Sequence, residues 1–270
     1  MLKAFSLVLI LITFEKAFAC KLRPSNKYIS FSAPITYLLE GLSLLEDPSL
    51  DAISSFHPVE NKDIKQLHGG IFLSKKKLKE MNDSIIFFDE SRELKRTLKQ
   101  SNVKKTIEVV TRNQNPFEAY EKSLGLLSPY LQGCKKRVSK LNNRVGKVKS
   151  RIKQSSLPKK TYLFFLGKIG KTGKAPRLIM ANDGVVKFLK ESLSMKTYPS
   201  ELAYVPPSSR ILNKLENKVF IGLYESKEKL ELQKLMPGKY NIGFPNALKP
   251  GITQVYFLEA LMDLEMFQEK

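Results

Sequence analysis

The sequence contains few of the side chains on which most enzymes and metal-binding proteins depend. His57 and His68 are its two histidines, whereas zinc and manganese sites need several His or carboxylate ligands that converge. No Gly-x-Ser-x-Gly or His-Glu-x-x-His pattern occurs, and neither cysteine is suited to be a nucleophile. His68 precedes Gly69 and Gly70 in a predicted loop. One interpretation is a polar contact or axial ligand for a bound metal complex, and the other is a solvated side chain. These residues favour a binding protein over an enzyme, with no resident metal or cofactor.

A basic, glycine-rich loop follows the strongest predicted strand, residues 160–167. The run from Gly167 to Gly173 resembles a phosphate-binding loop, because Gly-Lys-Thr follows a strand. Two residues separate the first glycine from the Gly-Lys pair, where the phosphate loop has four. The loop is therefore interpreted as a basic turn. Its Lys168 and Lys171 either bind carboxylates or phosphates of an anionic ligand or are solvated.

Residues 1–19 have the pattern of a secretory signal. A short basic start precedes an apolar run over residues 4–14, and Ala17-Phe18-Ala19 forms a small-x-small cleavage site. The apolar run is short for a membrane span. The alternative, a buried N-terminal helix, is less favoured, so we expect the mature protein in the periplasm or outside the cell.

Cleavage after Ala19 would make Cys20 the first mature residue, and Cys134 is the second of the two cysteines. A lipoprotein signal would acylate Cys20, although such signals usually have Leu where this sequence has Ala17. The favoured alternative is an ordinary cut and a Cys20–Cys134 disulfide in an oxidising compartment. Two free thiols are the third possibility.

One long basic helix is predicted over residues 134–153, near the middle of the chain. Its apolar residues recur at spacings of three and four and form one narrow stripe: Val138, Leu141, Val145, Val148 and Ile152. The other faces are cationic, in a chain whose formal net charge is +20. Such charge favours polyanionic partners or surfaces. By itself the helix is either a nucleic-acid-binding element or a rigid connection between the two halves of the chain.

Strand and helix patterns alternate on both sides of this helix, which predicts parallel α/β lobes. Before it, strands are expected at 27–32, 50–56, 84–89 and 106–111, with a helix at 117–131. After it, strands are expected at 160–167, 202–205, 218–223 and 240–244, with an amphipathic helix at 252–267. The predicted organisation is a signal at 1–19, lobes at 20–131 and 157–270, and a connecting helix within 132–156.

This organisation resembles the solute-binding proteins of ABC importers of the vitamin B12, siderophore and haem class. Residues 28–36, Tyr-Ile-Ser-Phe-Ser-Ala-Pro-Ile-Thr, look like the family's first strand and turn. Residues 78–87 look like its segment of leucine followed by Pro-Asp-Leu-Val-Ile, with Asn82 where proline is usual. The resemblance implies two α/β lobes, one backbone helix that joins them, and a ligand in the cleft between the lobes.

The resemblance also implies candidate ligand contacts. Members of the B12 type use aromatic residues at three places, which correspond here to Phe56, His68 and Tyr204. Phe56 ends a predicted strand, and its alternative role is packing in the apolar core. Tyr204 lies beside a Pro-Pro turn, where exposure is more plausible.

Family members present one acidic residue on each lobe to arginines of the permease. The corresponding positions here are Lys75 and Arg210, both charge reversals. A like charge facing arginine would weaken docking. Glu80 and Glu216 lie close enough to leave an alternative register open.

The predicted function is capture of a bulky chelate, a siderophore, corrinoid or haem-like molecule, for an ABC importer by a monomer. One alternative is a binding-protein fold recruited as an envelope sensor or adaptor, which the reversed docking charges favour. The other is a basic polyanion or nucleic-acid binder. It is less favoured because the basic helix carries no interleaved aromatic residues.

Overall fold

The computed structural model describes residues 19–55, 59, 63–67, 74–101, 103–111, 114–155, 161–167, 178–180, 184–197, 204–205, 218–224, 240–242 and 250–264. The predicted signal therefore lies almost wholly outside the described residues. The chain divides into two compact units. The first unit consists of Met1–Arg112 and Ala119–Arg144, and the second of Asn113–Glu118 and Val145–Lys270.

The described elements alternate strictly between helix and strand from residue 75 to residue 167, and elsewhere two or more described strands follow one another. In the first part of the chain they are β1 (Lys21–Leu22), β2 (Lys27–Phe31), α1 (Ala33–Gly41), β3 (Leu50–Ser54), β4 (Gln66–Leu67), α2 (Lys75–Lys79), β5 (Ser84–Asp89), α3 (Arg92–Lys99), β6 (Lys105–Val109), α4 (Pro116–Leu127) and β7 (Leu131–Gln132). In the second part they are α5 (Lys135–Gln154), β8 (Thr161–Gly167), β9 (Leu178–Met180), α6 (Gly184–Leu193), β10 (Lys196–Thr197), β11 (Tyr204–Val205), β12 (Lys218–Tyr224), β13 (Tyr240–Ile242) and α7 (Ile252–Met262).

The first unit is built on a parallel sheet with strand order β4-β3-β2-β5-β6. In the three central strands most side chains are buried on both faces, because helices cover a parallel sheet on its two sides. One face forms an apolar core with α2 and α3. Its buried members are Ile29, Phe31, Ala52, Leu67, Leu78, Met81, Ile86, Phe88, Leu94 and Leu98.

The other face of this sheet carries an aromatic cluster. Tyr28 and Phe87 each meet the ring of Tyr130 edge-on, with centroid separations of 5.8 and 5.6 Å. The ammonium of Lys105 lies 5.3 Å from the Tyr130 centroid. Edge-to-face pairs and a cation over a ring face are favourable geometries, so Tyr130 fixes the chain segment that follows α4 to the sheet.

The helix expected at residues 117–131 ends earlier. Helix α4 stops at Leu127 and continues as a single 3₁₀ turn, Ser128–Tyr130, and then as β7. Pro129 explains the change, because proline lacks the amide donor of the next turn and disfavours α geometry at the preceding residue. Strand β7 then pairs antiparallel with β1, a two-stranded sheet that the sequence pattern did not predict.

The central helix was predicted almost to the residue, at 134–153 against the observed Lys135–Gln154. The apolar stripe is its inward side: Leu141, Val145, Val148 and Ile152 are buried and Val138 is partly buried. The cationic positions are mostly exposed. Residues up to Arg144 belong to the first unit and those from Val145 to the second, so one helix belongs to both.

The second unit contains a six-stranded sheet around β8. Strands β10 and β12 pair parallel with β8, and β13 pairs parallel with β12. Strand β9 departs from the expected parallel arrangement, because it runs antiparallel to both β8 and β11. The α/β fold class is confirmed, with one reversed strand in the second sheet.

The last helix differs from its prediction in character. Helix α7 was expected to be amphipathic over residues 252–267, but its observed span ends at Met262. Eight of its side chains are buried: Ile252, Thr253, Gln254, Val255, Phe257, Leu258, Leu261 and Met262. Apolar residues lie all around it, so this is a core helix of the second unit.

Candidate ligand-binding site

The carboxyl ends of the parallel strands are where ligands bind in open α/β sheets. In the first unit β2 ends at Phe31 and β5 ends at Asp89, two adjacent strands in register. The backbone N–H of Ala33, the first residue of α1, donates to Asp89 Oδ2 over 3.0 Å. A carboxylate thus occupies the positive end of the α1 dipole, a position that otherwise attracts anions. This edge of the sheet is therefore poorly suited to bind an anionic group.

Short polar side chains hold the turn from β2 into α1. Ser30 Oγ donates to the carbonyl of Ser32 at 3.1 Å and lies 2.8 Å from Thr36 Oγ1. All three residues are fully buried. Within the described part of the chain no hydrogen-bond partner lies near Ser32 Oγ. A buried hydroxyl at this edge is a group that a water molecule or a ligand would satisfy.

Helix α1 also contains a buried phenol. Tyr37 is 2% exposed. Burial raises the pKa of its hydroxyl well above 10.0, and the nearby Glu40 carboxylate raises this pKa further. Both causes disfavour the phenolate, so Tyr37 remains a neutral group throughout the physiological range.

Phe56 and His68 follow two neighbouring strands of this sheet. Strands β3 and β4 are parallel, and their final residues Ser54 and Leu67 are register partners. Phe56 comes two residues after Ser54, and His68 comes directly after Leu67. Both candidates lie outside the described residues, so their side chains are not compared with the edge formed by Ser32 and Asp89.

The candidates in the second unit also follow or lie on strands of one sheet. Lys168 follows the last residue of β8 and Lys171 comes three residues later; both are outside the described residues. Tyr204 begins β11, where its backbone pairs with Met180 of β9. Strands β8 and β11 are parallel to each other, because each runs antiparallel to β9, which lies between them.

Of the two predicted docking positions, Lys75 lies among the described residues and Arg210 does not. Lys75 is the first residue of α2, a short helix of sequence Lys-Lys-Lys-Leu-Lys with no acidic residue in its first turn. Glu80 caps the carboxyl end of that helix and is exposed. Arg210 and Glu216 lie outside the described residues.

Cys20 and Cys134 are joined by a disulfide. The bond links the residue before β1 to the residue before α5, and the two strands β1 and β7 pair beside it. Gly133 has a φ of 70°, a left-handed conformation that a residue with a side chain adopts only with strain, immediately before the bonded cysteine. The start of the described chain is thus attached covalently to the start of the central helix.

Each half of α5 is held by an arginine that binds the carboxyl end of another helix in the same unit. Arg137 Nη1 donates to the carbonyls of Leu42 and Ser43, at 2.6 and 3.1 Å, where α1 ends. Arg151 Nη2 donates to the carbonyl of Met262 at 2.6 Å, where α7 ends, and its Nη1 lies 2.8 Å from Asp263 Oδ1. Helix carboxyl ends carry unpaired carbonyls and partial negative charge, so a guanidinium suits both places.

A surface cavity of about 440 Å³ opens on the opposite, amino side of the first sheet. It is lined by Leu45, Glu46, Asp47, Leu50, Asp51, Asp63, Ile64 and Lys65, which lie just before or at the start of β3 and β4. The carboxylate of Asp47 already accepts hydrogen bonds from Leu22 N and Ser49 N, at 2.7 and 2.9 Å. Asp47 thus holds the chain that leads into the sheet, and the acidic lining would repel an anionic chelate.

The described residues contain neither a metal-binding cluster nor a membrane-spanning helix. No three His, Cys, Asp or Glu side chains among them are grouped so that they would hold a metal ion. Within the same residues, no helix has the length and apolar character that crossing a bilayer requires.

Comparison with known proteins identifies the fold. Neither a protein-family model nor a curated protein matches the sequence. Among solved structures, the periplasmic vitamin B12 binding protein BtuF of Vibrio cholerae aligns over 92% of this chain and 99% of its own, with a TM-score of 0.65 at 12% identity. The periplasmic heme-binding protein RhuT from Roseiflexus sp. RS-1 aligns over 88% of this chain and 96% of its own, with a TM-score of 0.64 at 14% identity.

A third structure, IsdE of S. aureus in complex with heme, aligns over 90% of this chain and 99% of its own, with a TM-score of 0.59 at 14% identity. The chain has the fold of these binding proteins. The resemblance inferred from the order of elements is confirmed at the level of the fold. All three relatives are named for a ligand they bind, and none for a reaction.

Sequence reasoning missed two residues at the first carboxyl edge, Ser32 and Asp89. A signal for both was present. Ser32 is the polar residue between a strand and Ala-Pro, a common start of a helix, and Asp89 is the polar last residue of an apolar strand. Because parallel strands that are neighbours end at one edge, two polar residues at such ends are expected to meet.

Proposed function

We propose that this protein is a secreted or periplasmic substrate-binding protein that captures a bulky chelate for an ABC importer. The observation that carries the proposal is the fold, which is shared over about nine tenths of the chain with proteins that bind heme and vitamin B12. The chain would act as a monomer and would catalyse no reaction. Its ligand would be a haem-like, corrinoid or siderophore complex.

The first lobe would supply the apolar and metal-directed contacts. Phe56 and His68 follow parallel strands whose last residues are register partners, so both side chains are expected near one edge of the sheet. A phenyl ring covers the flat face of a macrocycle, and a neutral imidazole is a common axial ligand of its metal. The carboxylate of Asp89 would keep anionic groups of the ligand away from this edge.

The second lobe would supply the cationic side chains that bind anionic groups of the ligand. Lys168 and Lys171 follow β8, the strand on which its sheet is built. Lysine ammonium groups form charge-assisted hydrogen bonds with carboxylates, such as those at the rim of haem. Tyr204, on β11, would add an aromatic face with a hydroxyl. The contacts proposed in the two lobes thus differ in chemistry.

Titration of the secreted protein with hemin, cyanocobalamin and a ferric hydroxamate tests the proposal. A ligand present at 100 times its Kd raises the free energy of unfolding by about 2.7 kcal/mol, so the matching chelate should raise Tm clearly. His57 provides a matched control for His68, since these are the two histidines of the chain. His68→Ala should weaken hemin binding by roughly tenfold or more, about 1.4 kcal/mol, and His57→Ala should not.

A second pair of variants separates anionic from uncharged ligands. Lys168→Gln with Lys171→Gln should weaken hemin binding and leave cyanocobalamin binding unchanged, because hemin carries carboxylates that these lysines would bind. If none of the three chelates shifts Tm or absorbance, the proposed importer function is wrong.

A sensor or adaptor role is the second candidate, and the charge on α2 favours it. Where family members present an acid to the permease, this chain has Lys75 at the start of a helix with four lysines. Such a surface would fit a permease with compensating acids or another acidic partner. Binding of a chelate without stimulation of the ATPase of a cognate permease would favour this role. No permease or ATPase gene beside this one would favour it too.

A further inference from the structure

Helix α5 carries more positive charge than a connecting helix requires. Lys or Arg occupies nine of its 20 positions, and Asp or Glu occupies none. The three arginines are spaced seven residues apart, beside the apolar stripe, and Arg137 and Arg151 bind carbonyls of their own units. The six lysines do not share this role. Lys149 has a packing contact, because its ammonium lies 5.7 Å from the centroid of the Phe117 ring. The presence of the other five is not explained by the packing of the helix or by the proposed ligand.

The six lysines form one continuous exposed surface. We call the surface of Lys135, Lys136, Lys140, Lys147, Lys149 and Lys153 the lysine face; all six are exposed. At about 100° per residue, Lys136, Lys140 and Lys147 form one row, and Lys135, Lys149 and Lys153 form another. Between the rows lies a strip of short, exposed residues opposite the apolar stripe: Ser139, Asn143, Gly146 and Ser150.

The row of Lys136, Lys140 and Lys147 is exposed and available for a partner outside the molecule. No acid among the described residues pairs with Lys136, Lys140 or Lys147. At Gly146 an added Cβ would meet nothing within 4 Å, which shows that the strip between the rows is open. The face is about 30 Å long, because the helix has 20 residues. Ammonium groups on long side chains along such a length can reach one flat surface together.

We propose that the lysine face docks the protein on an anionic phospholipid bilayer. Lysines near such a surface each strengthen binding, whereas this face has no aromatic residue to stack on nucleic-acid bases and no apolar residue to insert between lipids. Docking is therefore by adsorption and is sensitive to salt. The disulfide engages the sulfur of Cys20, which a lipid anchor at that residue would need. The lysine face supplies an electrostatic attachment in place of that anchor.

Vesicle sedimentation of the secreted protein, with no chelate present, tests docking separately from ligand capture. The protein should sediment with phosphatidylcholine vesicles that contain about 30% phosphatidylglycerol and not with pure phosphatidylcholine. The bound fraction should fall as salt rises towards and beyond about 0.15 M, where the Debye length is about 8 Å.

Two triple variants with equal change of net charge locate the surface. Lys136→Gln, Lys140→Gln and Lys147→Gln should lower vesicle partitioning on the order of a hundredfold. The control, Lys99→Gln, Lys122→Gln and Lys187→Gln, changes exposed lysines of α3, α4 and α6 and should leave partitioning nearly unchanged. Both variants should keep the wild-type Tm and chelate affinity, since no altered side chain is buried.

Three results would overturn the proposal. Absence of wild-type binding to the anionic vesicles is the first. Equal losses in the two triple variants are the second, because they would indicate attraction by net charge alone. The third is displacement of the protein from vesicles by a DNA duplex at equal phosphate concentration, if that displacement depends on the same three lysines.

Discussion

The two ends of α5 use the same contact in two different settings. At the first end Arg137 binds the carbonyls that end α1, and at the other Arg151 binds the carbonyl that ends α7. The first end also has the Cys20–Cys134 disulfide and the small β1–β7 sheet beside it. The second end has instead an ion pair with Asp263 and the hydroxyl of Ser155, which donates to the carbonyl of Arg151 at 2.8 Å.

The comparison distinguishes the arginine contacts, which orient the helix, from the disulfide, which keeps one end of it attached. A guanidinium at a helix carboxyl end satisfies carbonyls and opposes the dipole, which fixes direction at both ends. A covalent bond acts mainly on the unfolded chain by limiting its conformations. The first end should therefore resist opening much more strongly than the second, although their arginine contacts are alike.

Removal of the disulfide should have the largest effect. The double variant Cys20→Ser, Cys134→Ser opens a loop between residues 114 positions apart and should lose about 4 kcal/mol of unfolding free energy. Urea unfolding of the first unit, with and without reductant, measures this. The wild type in reductant should match the variant. A mass spectrum of the unreduced protein that shows a lipid on Cys20, or two free thiols, would contradict the comparison.

Loss of one arginine should affect the two ends unequally. Arg151→Gln should release residues near the carboxyl end of α5 and cost about 1 to 2 kcal/mol, because the Met262 carbonyl loses its charged donor. Arg137→Gln removes a similar contact, but the disulfide should keep that end protected. Amide hydrogen exchange along α5 measures both. Lys140→Gln, an exposed position, is the control. Equal exchange in the two arginine variants would show that the disulfide adds nothing locally.

Alkaline pH should weaken the first unit through Tyr37 on α1, the helix that Arg137 binds. Its pKa is raised by burial above the 10.0 of the unfolded chain. The stabilisation is present in full below pH 10 and is lost as pH rises above it, because the unfolded state then releases the proton first. At pH 11 the loss should be about 1 kcal/mol. Tyr37→Phe should lack this part of the alkaline decline in chemical denaturation. The same decline in both proteins would contradict the assignment.

Two glycine replacements should have the smallest effects on stability, and they should raise it where the other variants lower it. Gly125 in α4 and Gly146 in α5 are exposed helical positions where an added Cβ meets nothing within 4 Å. Each change to Ala should stabilise its helix by about 0.5 to 1 kcal/mol. Gly125 belongs to the first unit and Gly146 to the second. Thermal unfolding should therefore show a gain in each unit separately, and a loss in either would indicate a contact that the open space does not suggest.

Much of the fold was predictable because local patterns were strong. Residues 84–89 form β5 with the predicted bounds, since a continuous apolar run between turn residues admits few alternatives. The stripe of α5 was read correctly for the same reason. The short strands β1, β4, β7, β9 and β10 were missed, because two or three residues carry no periodic signal and depend on a distant partner. The predicted contacts Phe56 and His68 remain predictions.

The sequence alone determined the alternation of strands and helices, the central basic helix and its buried stripe, because these follow from periodicity along neighbouring residues. The sequence favoured a Cys20–Cys134 disulfide among three possibilities, and the tertiary structure decided for it. Only the tertiary structure showed that Asp89 binds the start of α1. It alone showed that Arg137 and Arg151 bind the ends of two different helices. Each of these contacts joins residues far apart in the chain. Their partners are chosen by the packing of whole elements, and no local pattern encodes that choice.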